Sequence, residues 1–414
     1  MLVNYLKTGL RVLLRRKFFT AISLFAVSFT LLVLMVVTSL IDHTVSPMKP
    51  EVNQHRTLGV FSMQMQGENI RQTGSPGYGF LDRYVRTLPD VERVSIYSQL
   101  QPAITYLEGQ KIAFQVKRTD GDFWQILRFD FLEGRPLTAD DDQKGQAVAV
   151  INAATRRRVF GAGASAIGQT IQLDGQPFRV VGVVQDVPAF RFVPYADVWI
   201  PIGATRSQDF RRQLIGAFNG LVLAHQRSDF PRLQDEFQAR LGQVEFLEPD
   251  RYDRMEGALD THLDELARQL MNARPAEKRS NRLMLTLAGA MLLFMSLPAI
   301  NLVSINLSRI LERSSEIGVR KSFGASGSAL IGQFVIENVL LCLAGGVIGL
   351  VLSWCVLAAI GASGLIPHAK FGLNYRIFAY ALFLATFFGV LSGVYPAWKM
   401  SRMHPVAALR GTPR

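Results

Sequence analysis

Histidines, carboxylates and glycine-rich turns are where chemistry would show first. The six histidines are His43, His55, His225, His262, His368 and His404, and no two share a metal-ligand spacing. Asp260, His262, Asp264 and Glu265 crowd together, but they lack the H-E-x-x-H order that aims two imidazoles from one helix face. They read as a solvated helix face. Asp140, Asp141 and Asp142 line up three carboxylates. A calcium loop needs alternating oxygen ligands and a distal glutamate, so this run reads as a solvated turn. No G-x-x-x-x-G-K-[ST] loop offers a phosphate cradle, and no G-x-S-x-G elbow offers a nucleophile. The sequence therefore argues for no metal site and for no catalysis by this chain.

The remaining polar residue of interest, Glu337, lies inside an otherwise apolar run. Four runs, 18–41, 283–307, 329–360 and 377–398, are each long enough to cross roughly 30 Å of hydrocarbon. The first is too long in its apolar core for a signal peptide and reads as a retained helix. Trp398 and Tyr395 close the fourth, where amphipathic rings favour the headgroup zone. Glu337 has two readings: a contact that couples helices or protomers, or a carboxylate snorkelling to the inner surface. Gly345 and Gly349, and Gly389 and Gly393, have the small-x-x-x-small spacing that lets helices approach closely.

Charge sets the orientation of those runs. The net charge is +12, and the stretch 42–282 is neutral, with 30 basic and 30 acidic residues. The excess sits on the flanks: Lys7, Arg11, Arg15, Arg16 and Lys17 before the first run, Arg309, Arg313, Arg320 and Lys321 against Glu312 and Glu316 after the second, and Lys399, Arg402, Arg410 and Arg414 after the last. Cations beside apolar runs follow the positive-inside rule and do not indicate nucleic-acid binding. Both termini and the connector 308–328 are thus expected in the cytoplasm, with 42–282 and the loop 361–376 outside. Residues 1–17 carry Leu2, Leu6, Leu10 and Leu13 on one helical face and cations on another. That pattern suits an amphipathic helix on anionic lipid, an ordinary basic flank being the plainer alternative.

The outer segment reads as mixed α and β. Gln146–Asn152, Gln169–Leu173, Phe178–Val184 and Asp197–Pro201 have strand character, and Asp174-Gly175 is a hairpin turn signal. Phe80–Leu88 and Phe230–Leu241 have helical periodicity, and Leu259, Leu263, Leu266 and Leu270 form an apolar stripe for packing. This segment contains no cysteine; Cys342 and Cys355 both lie in the third run, too far apart on one helix to pair. The connector after the second run has charges at helical spacing, and Gly324 is placed to end a helix. A helix joining two spans would act as a lever on both.

That connector, Glu312-Arg-Ser-Ser-Glu-Ile-Gly-Val-Arg-Lys-Ser-Phe-Gly-Ala325, resembles the R-x-x-E-I-G-[IV]-R-[KR]-x-[LVF]-G-A signature of MacB/FtsX-type ABC transporter permeases. Gln333-Phe-Val-Ile-Glu337 with Gly345, Gly346 and Gly349 resembles the family's third span. Tyr395-Pro-Ala397 and Pro405-Val-Ala-Ala-Leu409-Arg410 resemble its tail. Phe131–Thr138, Ala147–Asn152, Ile167–Gln169 and Phe178–Val183 resemble its periplasmic core domain. The ordered set covers nearly the whole chain.

The resemblance implies four transmembrane α-helices and a large α+β periplasmic domain of two subdomains, one inserted at about 121–200, placed between the first two spans. It implies a bacterial inner-membrane location and a dimer, either of one chain or of two sister permeases. It assigns ATPase docking to Arg309, Glu312, Arg313, Glu316, Ile317, Gly318, Arg320, Lys321, Gly324 and Ala325. ATP and Mg2+ would be bound by a separate cytoplasmic ABC ATPase, with a periplasmic adaptor and an outer-membrane channel as further partners. The mechanism expected is mechanotransmission driving efflux or extraction of a periplasmic substrate. Control of a cell-wall hydrolase, sensing of antimicrobial peptides and lipoprotein release are the alternatives within the family.

Overall fold

The computed structural model describes residues 17–45, 48–107, 109–161, 163–271, 280–312, 327–364 and 375–401. The expected amphipathic helix before residue 17 lies outside them, as do most of the connector and the C-terminal tail. The chain divides into two compact units. One holds the apolar helices; the other comprises Thr44–Leu283.

The helical unit contains α1 (Lys17–Val45), α5 (Ser280–Glu312), α6 (Gly327–Ala362) and α7 (Tyr375–Ser401). Within them, Lys17–Asp42 and Val335–Ala362 are long and apolar enough to cross a membrane. Asn281–Phe294 and Phe378–Leu391 are shorter apolar stretches among the described residues.

The outer unit is α+β. Strands β1 (Thr57–Val60), β2 (Met63–Gln66) and β3 (Arg71–Pro76) open it. β4 (Arg93–Ser98), β5 (Gln101–Leu107), β6 (Gln110–Thr119), β7 (Phe131–Gly134) and β8 (Val148–Asn152) follow, then α2 (Ala153–Phe160). β9 (Thr170–Leu173), β10 (Gln176–Val184), β11 (Val198–Pro201), β12 (Ile215–Gly216) and β13 (Phe218–Leu223) lead to α3 (Phe230–Leu241), β14 (Arg254–Gly257) and α4 (His262–Met271). Ten strands form one mixed sheet in the order β1-β13-β4-β6-β11-β8-β10-β7, with β5 added on β6 and β9 on β10. The smaller sheet runs β12-β3-β2-β14.

The expected hairpin between β9 and β10 turns at Asp174 and Gly175, with φ of 49° and 74°. Positive φ at both central residues is what a two-residue turn between twisted strands requires. β9 alternates exposed and buried positions, while β8 is buried throughout, as a strand covered on both faces must be. Three apolar clusters fill the unit. One draws on residues 58–96 and 202–259, a second on 103–204, and a third, built around Trp124, Trp199 and Phe123, lies among strands of both segments.

Two sequence expectations fail here. Asp140, Asp141 and Asp142 do not make a solvated turn. They lie in a short helix, Ala139–Gln143, capped by Thr138 through a reciprocal box with Asp141. The Asp141 carboxylate accepts two hydrogen bonds from Arg135, at 2.6 and 3.1 Å, and these hold it down at about 2. Nor are Asp260, His262, Asp264 and Glu265 a solvated face, since all four are buried. Helix α4 turns its charged side inward, leaves Leu263 and Leu266 half-buried and exposes Leu270. Thr261 fixes its start, accepting from the Asp264 N–H while donating to the Asp264 carboxylate.

Candidate functional site

In the helical unit, α6 carries the glycines. A Cβ on Gly345 would stand 2.8 Å from Val27 Cγ1, and one on Gly349 would stand 3.1 Å from both Leu31 Cβ and the Ser28 carbonyl. Helix α1 therefore lies directly against this glycine pair, and small residues are what permit that approach. On another side of α6, a Cβ on Gly346 would meet Leu382 at 2.5 Å, and one on Gly389 would collide with Cys342 Sγ. Those two positions seat α6 against α7. Gly393 lies in α7, and its surroundings fall outside the described side chains.

Glu337 is 3% exposed, and Asn338 beside it is also buried. Both sit on α6, about two turns before the glycine seam. Leu343, Val347, Ile348, Val351 and Trp354 further along α6 are exposed apolar side chains, as lipid-facing or partner-facing positions would be. Of the expected docking residues, Arg309 and Glu312 lie in the last turns of α5. Arg313, Glu316, Ile317, Gly318, Arg320, Lys321, Gly324 and Ala325 lie outside the described residues.

The outer unit holds a buried charge cluster that sequence reasoning missed. Arg191 Nη1 donates to Glu51 Oε2 at 2.8 Å. His262 Nε2 lies 3.2 Å from Glu51 Oε1, within ion-pairing range but short of hydrogen-bond geometry. Burial alone would raise the Glu51 carboxyl, but His262 and Arg191 together outweigh it and hold it below its ordinary value. On α4, Arg268 pairs with Asp260 and lies 3.7 Å from Glu265. Burial pushes Asp260 up to about 7 against the pull of Arg268.

Lys117 adds a cation to this interior. Its Nζ donates to the Phe192 and Val193 carbonyls at 2.7 and 2.5 Å and lies 5.2 Å from the centre of the Tyr97 ring. Burial lowers its ammonium to about 7. Among the described residues no group of histidines, cysteines and carboxylates could hold a metal ion. The cluster joins the start of the outer unit at Glu51, the 191–193 loop and α4. Its chemistry is that of a clasp: mutually neutralising charges that hold three distant segments together. The Thr261-x-x-Asp264 capping pattern was visible in the sequence, whereas nothing local marked Glu51, Lys117 or Arg191.

Apolar helices packed through glycines, two of them long and apolar enough to cross a membrane, share the chain with an α+β domain. The model of the MacB-like periplasmic core domain matches residues 20–240, and that of the FtsX-like permease C-terminal region matches residues 288–405. The chain belongs to the MacB/FtsX-type ABC permease family. The macrolide export ATP-binding/permease protein MacB 1 of Aeromonas hydrophila is 32% identical over 380 residues, covering 85% of this chain and 55% of that protein. MacB of Escherichia coli K12 is 27% identical over 377 residues with the same coverage. The chain thus spans about half the length of these relatives, and its matches cover their permease part. Among solved structures, the periplasmic region of MacB from Actinobacillus actinomycetemcomitans superposes with a TM-score of 0.38 at 14% identity, over 53% of this chain and 94% of that one. The extracellular domain of the transporter YknZ from Gram-positive bacteria gives 0.37 at 14% identity, over 49% and 100%.

Proposed function

We propose that this chain is the permease subunit of an ABC transporter that converts ATP hydrolysis by a partner ATPase into motion of its outer domain. In this reading four helices span the inner membrane, both termini face the cytoplasm and the segment 42–282 works in the periplasm. The carrying observation is the ordered pair of family matches, core domain then permease region. The charge distribution supports the orientation, because the cations gather beside the apolar runs while 42–282 is neutral. The helices favour a mechanical role over a polar conduit. Glu337 is the one carboxylate in the run 329–360, and a hydrophilic path across lipid needs polar groups along its length. The work done outside is efflux or extraction of a periplasmic substrate by a dimer of such subunits, with an adaptor and outer-membrane channel as further partners.

The test is capture of a P-loop ATPase on the full-length chain in membranes, repeated with Glu316→Lys and with Gly318→Trp. Each variant places a reversed charge or a bulky ring in the connector, and each should reduce capture at least about tenfold, as loss of an interfacial hot spot does. Undiminished capture by both variants removes the docking assignment.

A further inference from the structure

Six strands of the outer unit wrap into a small barrel. β5 pairs with β6, β6 with β11, β11 with β8, β8 with β10 and β10 with β9. The two ends of this run meet where the turn after β9 reaches β5: the Asp174 N–H donates to the Ile104 carbonyl at 2.9 Å, and the Ile104 N–H donates to Asp174 Oδ1 at 2.8 Å. Along β6, Ile112, Phe114 and Val116 alternate into the apolar interior of this wrap. Arg118 takes the next place in the same row. The two-residue period thus puts a permanent cation where the interior would take a fourth apolar side chain.

Arg118 lines a cavity of about 220 Å³ at one end of the barrel. Ala103, Leu173, Phe178 and Ile200 give the cavity an apolar lining, and Arg206, exposed and with no ion pair among the described residues, is a further lining residue. The Arg118 guanidinium donates from Nη1 to Gln101, but its Nε is buried with no hydrogen-bond partner. No carboxylate forms an ion pair with it among the described residues; the nearby Asp174 holds the Ile104 N–H instead. An arginine cannot escape burial by losing its proton, and an unanswered buried donor is unfavourable. Arg118 thus brings to the cavity a positive charge that no carboxylate among the described residues answers with an ion pair. The mouth of a barrel with apolar walls and a few convergent polar groups is also where small ligands are commonly held.

We propose that this barrel mouth binds the carboxylate of a small organic acid with an apolar body. The free edge of the Arg118 guanidinium and the Arg206 side chain hold the carboxylate, and the Ala103–Leu173–Phe178–Ile200 lining takes the body. The two arginines against Asp174 leave one net positive charge, which matches a monoanion. The cavity suits a body on the order of ten non-hydrogen atoms. The site lies wholly within the outer unit, so its test needs no ATPase and its failure leaves the permease reading standing.

The test is isothermal titration of the full chain in lipid nanodiscs with phenylacetate, its neutral counterpart phenylacetamide, and inorganic phosphate. Phenylacetate should bind saturably at one site per chain. Phenylacetamide and phosphate should each bind at least about tenfold more weakly, the one lacking the charge and the other the apolar body. Arg118→Gln should weaken phenylacetate binding by at least about tenfold, and Arg206→Gln by about threefold. Arg206 is exposed, so its replacement keeps the proposal testable if Arg118→Gln fails to fold. Equal affinity for acid and amide, equal affinity for phosphate, wild-type binding by Arg118→Gln, or no saturable heat up to about 10 mM ligand would each overturn the site.

Discussion

Arg191 Nη1 meets Glu51 Oε2 at 2.8 Å although the two residues stand 140 positions apart, and both side chains are almost fully buried. The contact fastens the first residues of the outer unit to a loop between β10 and β11. His262, at the start of α4, touches the other oxygen of the same carboxylate. A single carboxylate thus meets side chains from two distant segments, and the pull on any one of them reaches the others.

Arg191→Met should destabilise the outer unit by about 3–5 kcal/mol, because it strands a buried carboxylate. Combining it with Glu51→Gln should recover much of that loss. Thermal unfolding of the full chain, followed by fluorescence of the buried Trp124 and Trp199, reads both variants. A double variant no more stable than Arg191→Met would show that the pair is not coupled.

Asp120 gives a pH dependence of defined sign. Burial raises its carboxyl to about 6, against hydrogen bonds from the Ile96 N–H, the Ser95 hydroxyl and the Phe123 N–H. The folded chain therefore binds this proton more tightly than the unfolded chain, whose ordinary value is 3.8. Asp120 lowers stability as pH rises from about 4 to about 6, and its contribution is level above that window. The wild-type unfolding curve, compared with that of Asp120→Asn, should show this falling component and the variant should lack it. An identical pH dependence in the two proteins contradicts the assignment.

The α6–α7 contact predicts a rescue. Gly389→Ala would press its new methyl onto Cys342 Sγ, whose side chain is buried against the Ala385 carbonyl. The expected loss is about 1–3 kcal/mol, typical of overpacking. Cys342→Ala removes the obstructing atom and should restore most of the stability of Gly389→Ala in lipid or detergent. If the double variant melts no higher than Gly389→Ala, the close approach at this point is refuted.

Glu337→Gln keeps the shape of a buried side chain and removes its charge. Assembly with the ATPase should persist, while ATP hydrolysis should drive less transport per nucleotide. The measurement is the ratio of transported substrate to phosphate released in reconstituted vesicles. An unchanged ratio would reduce Glu337 to a packing residue.

Much was legible in the sequence because the properties concerned are local or additive along the chain. Apolar runs, flanking cations and the Asp174-Gly175 turn each depend on near neighbours, and the two long apolar helices and the hairpin follow them. The glycine spacing announced close packing, but which helix fills it could not be read. That Gly345 and Gly349 receive α1 while Gly346 and Gly389 seat α6 against α7 depends on how three helices meet.

By itself the sequence determined the apolar runs, the α+β character of the segment between the first two and the family, since each is written in composition, period or ordered motifs. Only the tertiary structure decided the fate of the charges. Asp260, His262, Asp264 and Glu265 look like a solvated helix face, because charge on one side of a helix ordinarily meets water. They are buried where α4 packs into the unit: Arg268 answers Asp260 and Glu265, Thr261 holds Asp264, and Glu51, from far along the chain, lies against His262. Arg118 was equally unmarked: its place at the mouth of the six-strand wrap depends on the turn at Asp174 reaching Ile104, 70 residues away. Electrostatic burial is a property of the space around a side chain, and that space exists only once distant segments have met.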